Sequence, residues 1–329
     1  MYTVYIIDLR LSSQNLPTSS KLFHFHFFFT NLIAMTDIIA KSNIDYTQIK
    51  YGDHPLNTIG VYTPRDSNAA TASTKWLVFI HGGAWRDPNN THHDGDYILT
   101  SLLSQPKFAS KYRGASIDYT LSNEKQHPSF VLDTLAALRK LDDVYGLGDE
   151  YILIGHSAGA HIALQTFIYG RQDARNRELV RKCSKVFGIE GIYILDLLTA
   201  ENEGYRGFTE EAFGRNTNQA WDEASPFTAS AAAEDQRYLW VSNDTTKDES
   251  RIVPFVNGTL YILHSPSDEL LLEKYQPEEI LKVLQSEQIK NGIRLLGYSP
   301  IDVVYEKIAG KHEEAIKRQE AVNAIAKFI

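Results

Sequence analysis

The segment Tyr151-Ile-Leu-Ile-Gly155-His156-Ser157-Ala158-Gly159-Ala160-His161 constrains this chain more than any other. An apolar run of strand length leads straight into Gly-x-Ser-x-Gly and then into a helical apolar pattern. A strand that turns this sharply into a helix forces its central residue into a strained backbone conformation, and side chains on either side would collide with neighbouring main chain. Glycine at 155 and 159, with alanine at 158, removes those side chains. The turn then lifts the Ser157 hydroxyl above the sheet, at a helix N-terminus, where developing negative charge is favoured.

A serine hydroxyl needs a base, and the base needs an acid to hold it. In a chain of this pattern both follow the serine, acid first. The apolar run ending at His264 is followed by Ser265-Pro266-Ser267-Asp268-Glu269, which places Asp268 just past a strand. The run Asp302–Lys307 is followed by Ala309-Gly310-Lys311-His312 and then a helical pattern, which places His312 in the loop after the last strand. Carboxyl ends of parallel strands share one edge, where open α/β sheets bind ligands. Glu269 points elsewhere if Asp268 points in, Asp302 opens its strand instead of ending one, and His264 reads as a packed strand residue. Upstream, Trp76–Ile80 runs into His81-Gly82-Gly83-Ala84-Trp85. Main chain bare of side chains can approach a ligand closely, so the N–H groups of Gly82, Gly83 and Ala158 are expected to form an oxyanion hole. Trp85 either lines the acyl pocket or caps the core. His92, His93 and Asp94 lack a third ligand at suitable spacing, so no metal site is expected.

Strands are expected at Trp76–Ile80, Ala115–Tyr119, Tyr151–Gly155, Val186–Ile192, Leu260–His264 and Asp302–Lys307. Between them, Ser129–Tyr145 puts Val131, Leu135, Leu138 and Leu141 on one helical face. Pro277–Gln288 opens with Pro and two glutamates and stops before Gly292, and Glu313–Ile329 closes the chain as one helix. Thr199–Pro254 has no clear strand signal and reads as a helical cap with a solvated loop at Asn243–Arg251. Alternation of short apolar runs with helical patterns predicts a mostly parallel sheet covered on both faces. Without a repeat or linker, 35–329 reads as one domain.

Residues 1–34 differ: Ser12, Ser13, Ser19 and Ser20 precede the aromatic run Leu22–Phe29, and a second methionine stands at Met35. The run is far shorter than the about 20 residues a bilayer span needs. It matches neither a secretory signal nor an arginine-rich presequence, so translation from Met35 is the expectation. The compartment is then the cytoplasm, with mitochondria or secretion following only from a real leader. Without secretion the Asn-x-Thr triplets at Asn89, Asn243 and Asn257 carry no meaning. The 329 residues include 33 basic against 41 acidic ones, a net charge of −8 that disfavours nucleic acid. Cys183 is alone and cannot pair within the chain.

Together these residues resemble the α/β-hydrolase superfamily, in the branch with a His-Gly-Gly-x-Trp motif, and within it the fungal kynurenine formamidases (arylformamidases). The similarity covers Ile44 to Phe328. It rests on His81–Trp85 with Arg86-Asp87-Pro88-Asn89, Asp118-Tyr119, Gly155–Gly159, Glu190-Gly191-Ile192-Tyr193, Ala212-Phe213-Gly214, Ser225-Pro226, Asp268-Glu269 and Lys311-His312-Glu313. The leader and Asn243–Arg251 depart from the family pattern.

What the resemblance implies is an α/β-hydrolase fold with a small helical cap, hydrolysing N-formyl-L-kynurenine to L-kynurenine and formate in tryptophan breakdown toward NAD. Ser157, Asp268 and His312 would be catalytic, and Trp85 and Tyr193 would line the pocket. No metal or organic cofactor is implied. The expected partner is the small-molecule substrate, with no nucleic acid and no membrane, and a homodimer left open. The competing readings are a carboxylesterase of the hormone-sensitive-lipase-like group and a non-catalytic small-molecule receptor on the same scaffold.

Overall fold

In the computed structural model the described residues are 39–40, 42–65, 74–170, 173–217, 220–227, 258–285, 290 and 301–329. The leader, Asn243–Arg251, the triplets at Asn243 and Asn257, and the helix end expected near Gln288 lie outside them.

The strands are β1 (Ile44–Lys50), β2 (Thr58–Pro64), β3 (Lys75–Ile80), β4 (Tyr112–Ile117), β5 (Tyr151–His156), β6 (Cys183–Ile189), β7 (Thr259–His264) and β8 (Asp302–Lys307). They form one sheet in the order β1-β2-β4-β3-β5-β6-β7-β8. From β4 to β8 every pairing is parallel, while β1–β2 and β2–β4 are antiparallel. The six expected strands are all present, shifted by a few residues at β4 and β6. The antiparallel pair β1 and β2 was not anticipated, because β1 sits at the sheet's edge with five of its seven residues polar, and the alternation leaves Ile44 as its one buried position.

Central strands are apolar throughout because both faces are covered. Trp76, Val78, Ile80 and Leu153 face one core with Val131, Leu135, Leu138 and Leu141 of the helix Ser129–Tyr145. Leu77, Phe79, Ile152 and Ile154 face the other, with the helices Asp96–Leu103 and Gln319–Ala326. The strand period of two distributes alternate residues between these layers.

Instead of one closing helix from Glu313 the chain forms two, His312–Ala315 and Gln319–Ala326. The reason is geometric. Ile316 and Val322 are six residues apart, about 240° around an α-helix, so a straight helix would point them to different sides. The break at Arg318, which is extended (φ −116°, ψ 146°), lets both become buried in the same core. The expected cap is present as short helices at Leu195–Glu201, Arg206–Phe213 and Ala220–Ala224. Among the described residues no helix is long and apolar enough to cross a membrane.

The layered core predicts a sharp contrast in stability. Leu153→Ala, wholly buried in β5, should cost about 2–5 kcal/mol in urea unfolding. Leu132→Ala, 45% exposed on the solvent side of Ser129–Tyr145, should cost less than about 0.5 kcal/mol.

Candidate active site

Ser157 stands between β5 and the helix Ala158–Tyr169 with φ +52° and ψ −119°, a region that side chains rarely enter. The turn is held from three sides. The Ser157 N–H donates to Ile189 O (2.9 Å), and Ser157 O accepts from Ala160 N–H (3.0 Å) and Ile192 N–H (3.2 Å). No side chain fits at the flanking glycines. A Cβ on Gly155 would lie 2.5 Å from the Ala160 backbone, and one on Gly159 would lie 2.1 Å from Ile80 O. Close approach of the helix to β3 thus requires glycine, as expected from the sequence.

The His81–Trp85 loop lies directly beside the serine: a Cβ on Gly82 would sit 3.0 Å from Ser157 Cβ. Gly83, Ala84 and Trp85 follow each other with positive φ (87°, 48° and 61°). Tyr119 pins this loop. Its hydroxyl donates to Gly82 O at 2.8 Å, and the same oxygen lies 3.0 Å from His81 Nδ1. Carbonyl and N–H of a trans peptide point in opposite directions, so fixing Gly82 O fixes where Gly83 N–H points. Gly83 O is occupied in turn by the N–H groups of Arg86 and Asp87, both at 2.9 Å. Ala158 N–H, in the first turn of its helix, has no partner within that helix.

Asp268 and His312 meet as the sequence suggested, with His312 Nδ1 2.8 Å from Asp268 Oδ2. The other Asp268 oxygen accepts N–H bonds from Leu270 (2.8 Å) and Leu271 (2.9 Å). Burial raises the Asp268 carboxyl, but the hydrogen bond and charge of His312 outweigh it and hold the group down at about 2. Burial lowers His312, and the bond to Asp268 reverses that and raises it. Glu269 was expected to point away; its carboxylate instead accepts the His312 N–H at 3.1 Å, fixing the backbone of the same residue. Other histidines near the serine differ in kind. His156 and His161 are each lowered to about 3, chiefly by burial.

Ser157 and His312 open on one cavity of about 510 Å³. Its lining includes the apolar residues Ile192, Leu198, Phe208 and Leu271 and the polar residues Arg86, Asp87, Asn90, Asn123 and Glu313. Arg86 is also paired with Glu211 at 3.1 Å.

Two expected lining residues lie elsewhere. Trp85 is wholly buried, packed edge-on against His161 (5.2 Å) and Phe213 (4.8 Å), and belongs to the core under the loop. Tyr193 is also wholly buried, its N–H on Gln276 Oε1 (2.8 Å); the neighbouring Ile192 reaches the cavity in its place. His92 and His93 are engaged by the protein: His92 Nδ1 lies 2.5 Å from Asp118 Oδ2, His92 Nε2 lies 2.8 Å from Tyr46 Oη, and His93 Nδ1 lies 3.0 Å from Asp96 Oδ2. Tyr119, a motif letter in the sequence, and Glu269, which the sequence points away from the site, both contribute to it. Their roles come from partners more than 35 residues away in sequence and leave no local signal.

The fold is that of the α/β-hydrolases. Esterase B from Lactobacillus rhamnosis superposes with a TM-score of 0.60 at 18% identity, covering 94% of this chain and 93% of that one, and shares the fold. A family model described as BD-FAE matches residues 59–201. The chain is similar to fungal kynurenine formamidases. The kynurenine formamidase of Meyerozyma guilliermondii is 34% identical over 182 residues, 55% of this chain and 65% of that protein. That of Scheffersomyces stipitis is 28% identical over 279 residues, 79% of this chain and 94% of that one. The matched part of the chain thus spans just under two thirds of the first relative and nearly all of the second.

Gly159→Ala tests the elbow. Forcing a methyl group onto Ile80 O should destabilise the protein by about 3 kcal/mol, the upper end for overpacking, as read from urea unfolding.

Proposed function

We propose that this chain is a serine hydrolase that cleaves N-formyl-L-kynurenine to L-kynurenine and formate, a step of tryptophan catabolism toward NAD. The observation that carries the reading is the convergence of Ser157 and the Asp268-bound His312 on one half-apolar, half-polar cavity. The relatives supply the choice of substrate.

Ser157 Oγ attacks the formyl carbon and passes its proton to His312 Nε2, while Asp268 holds Nδ1–H and stabilises the imidazolium. The N–H groups of Gly82, Gly83 and Ala158 receive the oxyanion. Collapse breaks the C–N bond, and His312 returns the proton to the departing aniline nitrogen. Water, deprotonated by His312, then attacks the formyl ester and releases formate and Ser157. An aniline leaves far more readily than an alkyl amine, so the chemistry calls for no metal. The aryl ring suits the apolar lining of Ile192, Leu198 and Phe208, and the zwitterionic amino-acid head suits Arg86 for its carboxylate and Asp87 or Glu313 for its ammonium. Every residue of this mechanism comes from a single chain. We assign the hydrolase domain to residues 35–329, acting in the cytoplasm.

Ser157→Ala should keep the fold and lose turnover by about a million-fold, as triad serines do. The deciding assay measures kynurenine release beside acetyl and butyryl p-nitrophenyl ester hydrolysis. A kcat/KM for the formamide well below that for the esters would replace the formamidase reading with the carboxylesterase one. Arg86→Ala should raise KM for N-formylkynurenine about tenfold or more, the cost of one charge-assisted contact, and leave KM for the headless esters unchanged.

The pH dependence has a definite sign. His312 acts as a neutral base, and Asp268 raises it above the ordinary 6.5. Activity should therefore fall on acidification, with a midpoint of kcat/KM above 6.5.

A further inference from the structure

A third carboxyl group stands behind the pair Asp268 and His312, and the mechanism above leaves it idle. Glu190 follows β6 at the same sheet edge as Ser157, is fully buried, and holds a left-handed backbone at φ +46°. Its oxygens are surrounded. Ser265 N–H lies 2.9 Å from Oε1 and 3.2 Å from Oε2, and His264 Nδ1 lies 2.7 Å from Oε2. The remaining acidic neighbour is Asp268, which has a carboxylate oxygen within 4.8 Å of one on Glu190.

Two buried carboxyl groups within 4.8 Å of each other do not both stay anions, so one of them carries a proton. Neighbours decide which one. Asp268 receives His312 Nδ1–H and two backbone N–H groups, the partners of a carboxylate. Burial disfavours a charge on His264, and with its one proton on Nδ1 the ring donates to Glu190 Oε2 at 2.7 Å. A protonated Glu190 accepts from Ser265 and His264 and still has one O–H to give.

We propose that Glu190 is a positioning residue, a neutral buried carboxylic acid whose O–H donates to the Asp268 carboxylate and so holds it against His312. The inference rests on the proposed Ser157, His312 and Asp268 machinery, but not on the identity of the substrate. The titration directions agree. Burial, then the charge of Asp268, pushes Glu190 up to about 10, while Asp268 is held down at about 2. Pairs of groups pushed apart in this way divide into an acid and a base. Among the described residues the titratable groups around Glu190 are Asp268 and His264 from β7 and its loop, His312 at the start of the helix after β8, Tyr305 within β8, and Tyr193 of its own loop.

The test is the rate at which a fluorophosphonate labels Ser157, measured on the full chain. Labelling needs the serine and its base but no particular substrate. A wild-type protein that is not labelled would refute the triad itself, a result separate from those below. Glu190→Ala removes a hydrogen bond to a charged group and should slow labelling about 10- to 100-fold. Glu190→Gln, neutral and able to donate an N–H to Asp268, should recover most of that loss. The low-field proton resonance of His312 Nδ1–H should persist in Glu190→Gln and weaken or move in Glu190→Ala. Wild-type labelling should also decline toward pH 10 as Glu190 ionises, and that decline should vanish in Glu190→Gln. If Glu190→Ala fails to fold, Glu190→Gln decides alone.

Equal losses in both variants would mean that Glu190 works as an anion, and wild-type labelling in a folded Glu190→Ala would mean that it only packs. Either result overturns the proposal. Glu190, His264 and Asp268 also have ligand atoms within 4.8 Å of one another. Loss of labelling with EDTA and its recovery with Zn²⁺ would place a cation where the proton is proposed, and would overturn it too.

Discussion

The contact between Gly159 and the end of β3 is the constraint on which the rest of the molecule depends. With 2.1 Å between a hypothetical Cβ and Ile80 O, the helix after Ser157 packs on the sheet only because residue 159 has no side chain. That contact brings three things into one place. It fixes the positive φ of Ser157, it aims the first N–H groups of the helix across the site, and it presses the helix onto the strand that leads into the loop of Gly82 and Gly83. A serine and a loop that are 75 residues apart in sequence become neighbours through a missing methyl group.

Electrostatics then select one histidine from several. His81, His156, His161 and His264 are all buried near the serine and all lowered, chiefly because burial disfavours their charged form. His312 is just as buried and goes the other way, because its Nδ1 meets an anion that backbone N–H groups hold in place. A single well-placed carboxylate makes one imidazole basic in a region that keeps the others neutral. Burial thus serves two ends: it keeps the surrounding histidines uncharged, and it strengthens the one ion pair that remains.

The legible parts of the sequence were those whose reasons are local. Apolar runs bounded by glycine gave the central strands, and Gly155 and Gly159 gave the elbow from sterics alone. Asp268 and His312 could be assigned because each follows a strand end. The unreadable parts depend on partners far along the chain. β1 carries little apolar pattern, since the edge of a sheet buries few residues, and β2, though buried, mixes its apolar residues with Thr58, Gly60 and Thr63. The closing helix broke because Ile316 and Val322 share one core that only the folded sheet defines. The resemblance implies Trp85 and Tyr193 as pocket residues, whereas packing on Phe213 and the hydrogen bond to Gln276 draw them inward. Tyr119 reaches back to Gly82, and Glu190 meets Asp268, by contacts that no spacing in the sequence announces.

The central claim is that Ser157 is the nucleophile and that N-formylkynurenine occupies the cavity in front of it. Mass mapping of the protein after inactivation by a fluorophosphonate, with and without N-formylkynurenine, tests both halves at once. The account predicts one adduct, on the peptide bearing Ser157, formed in step with the loss of activity and slowed as N-formylkynurenine approaches saturation. Full turnover after stoichiometric modification of Ser157, or an adduct on another residue that alone tracks the lost activity, would contradict it.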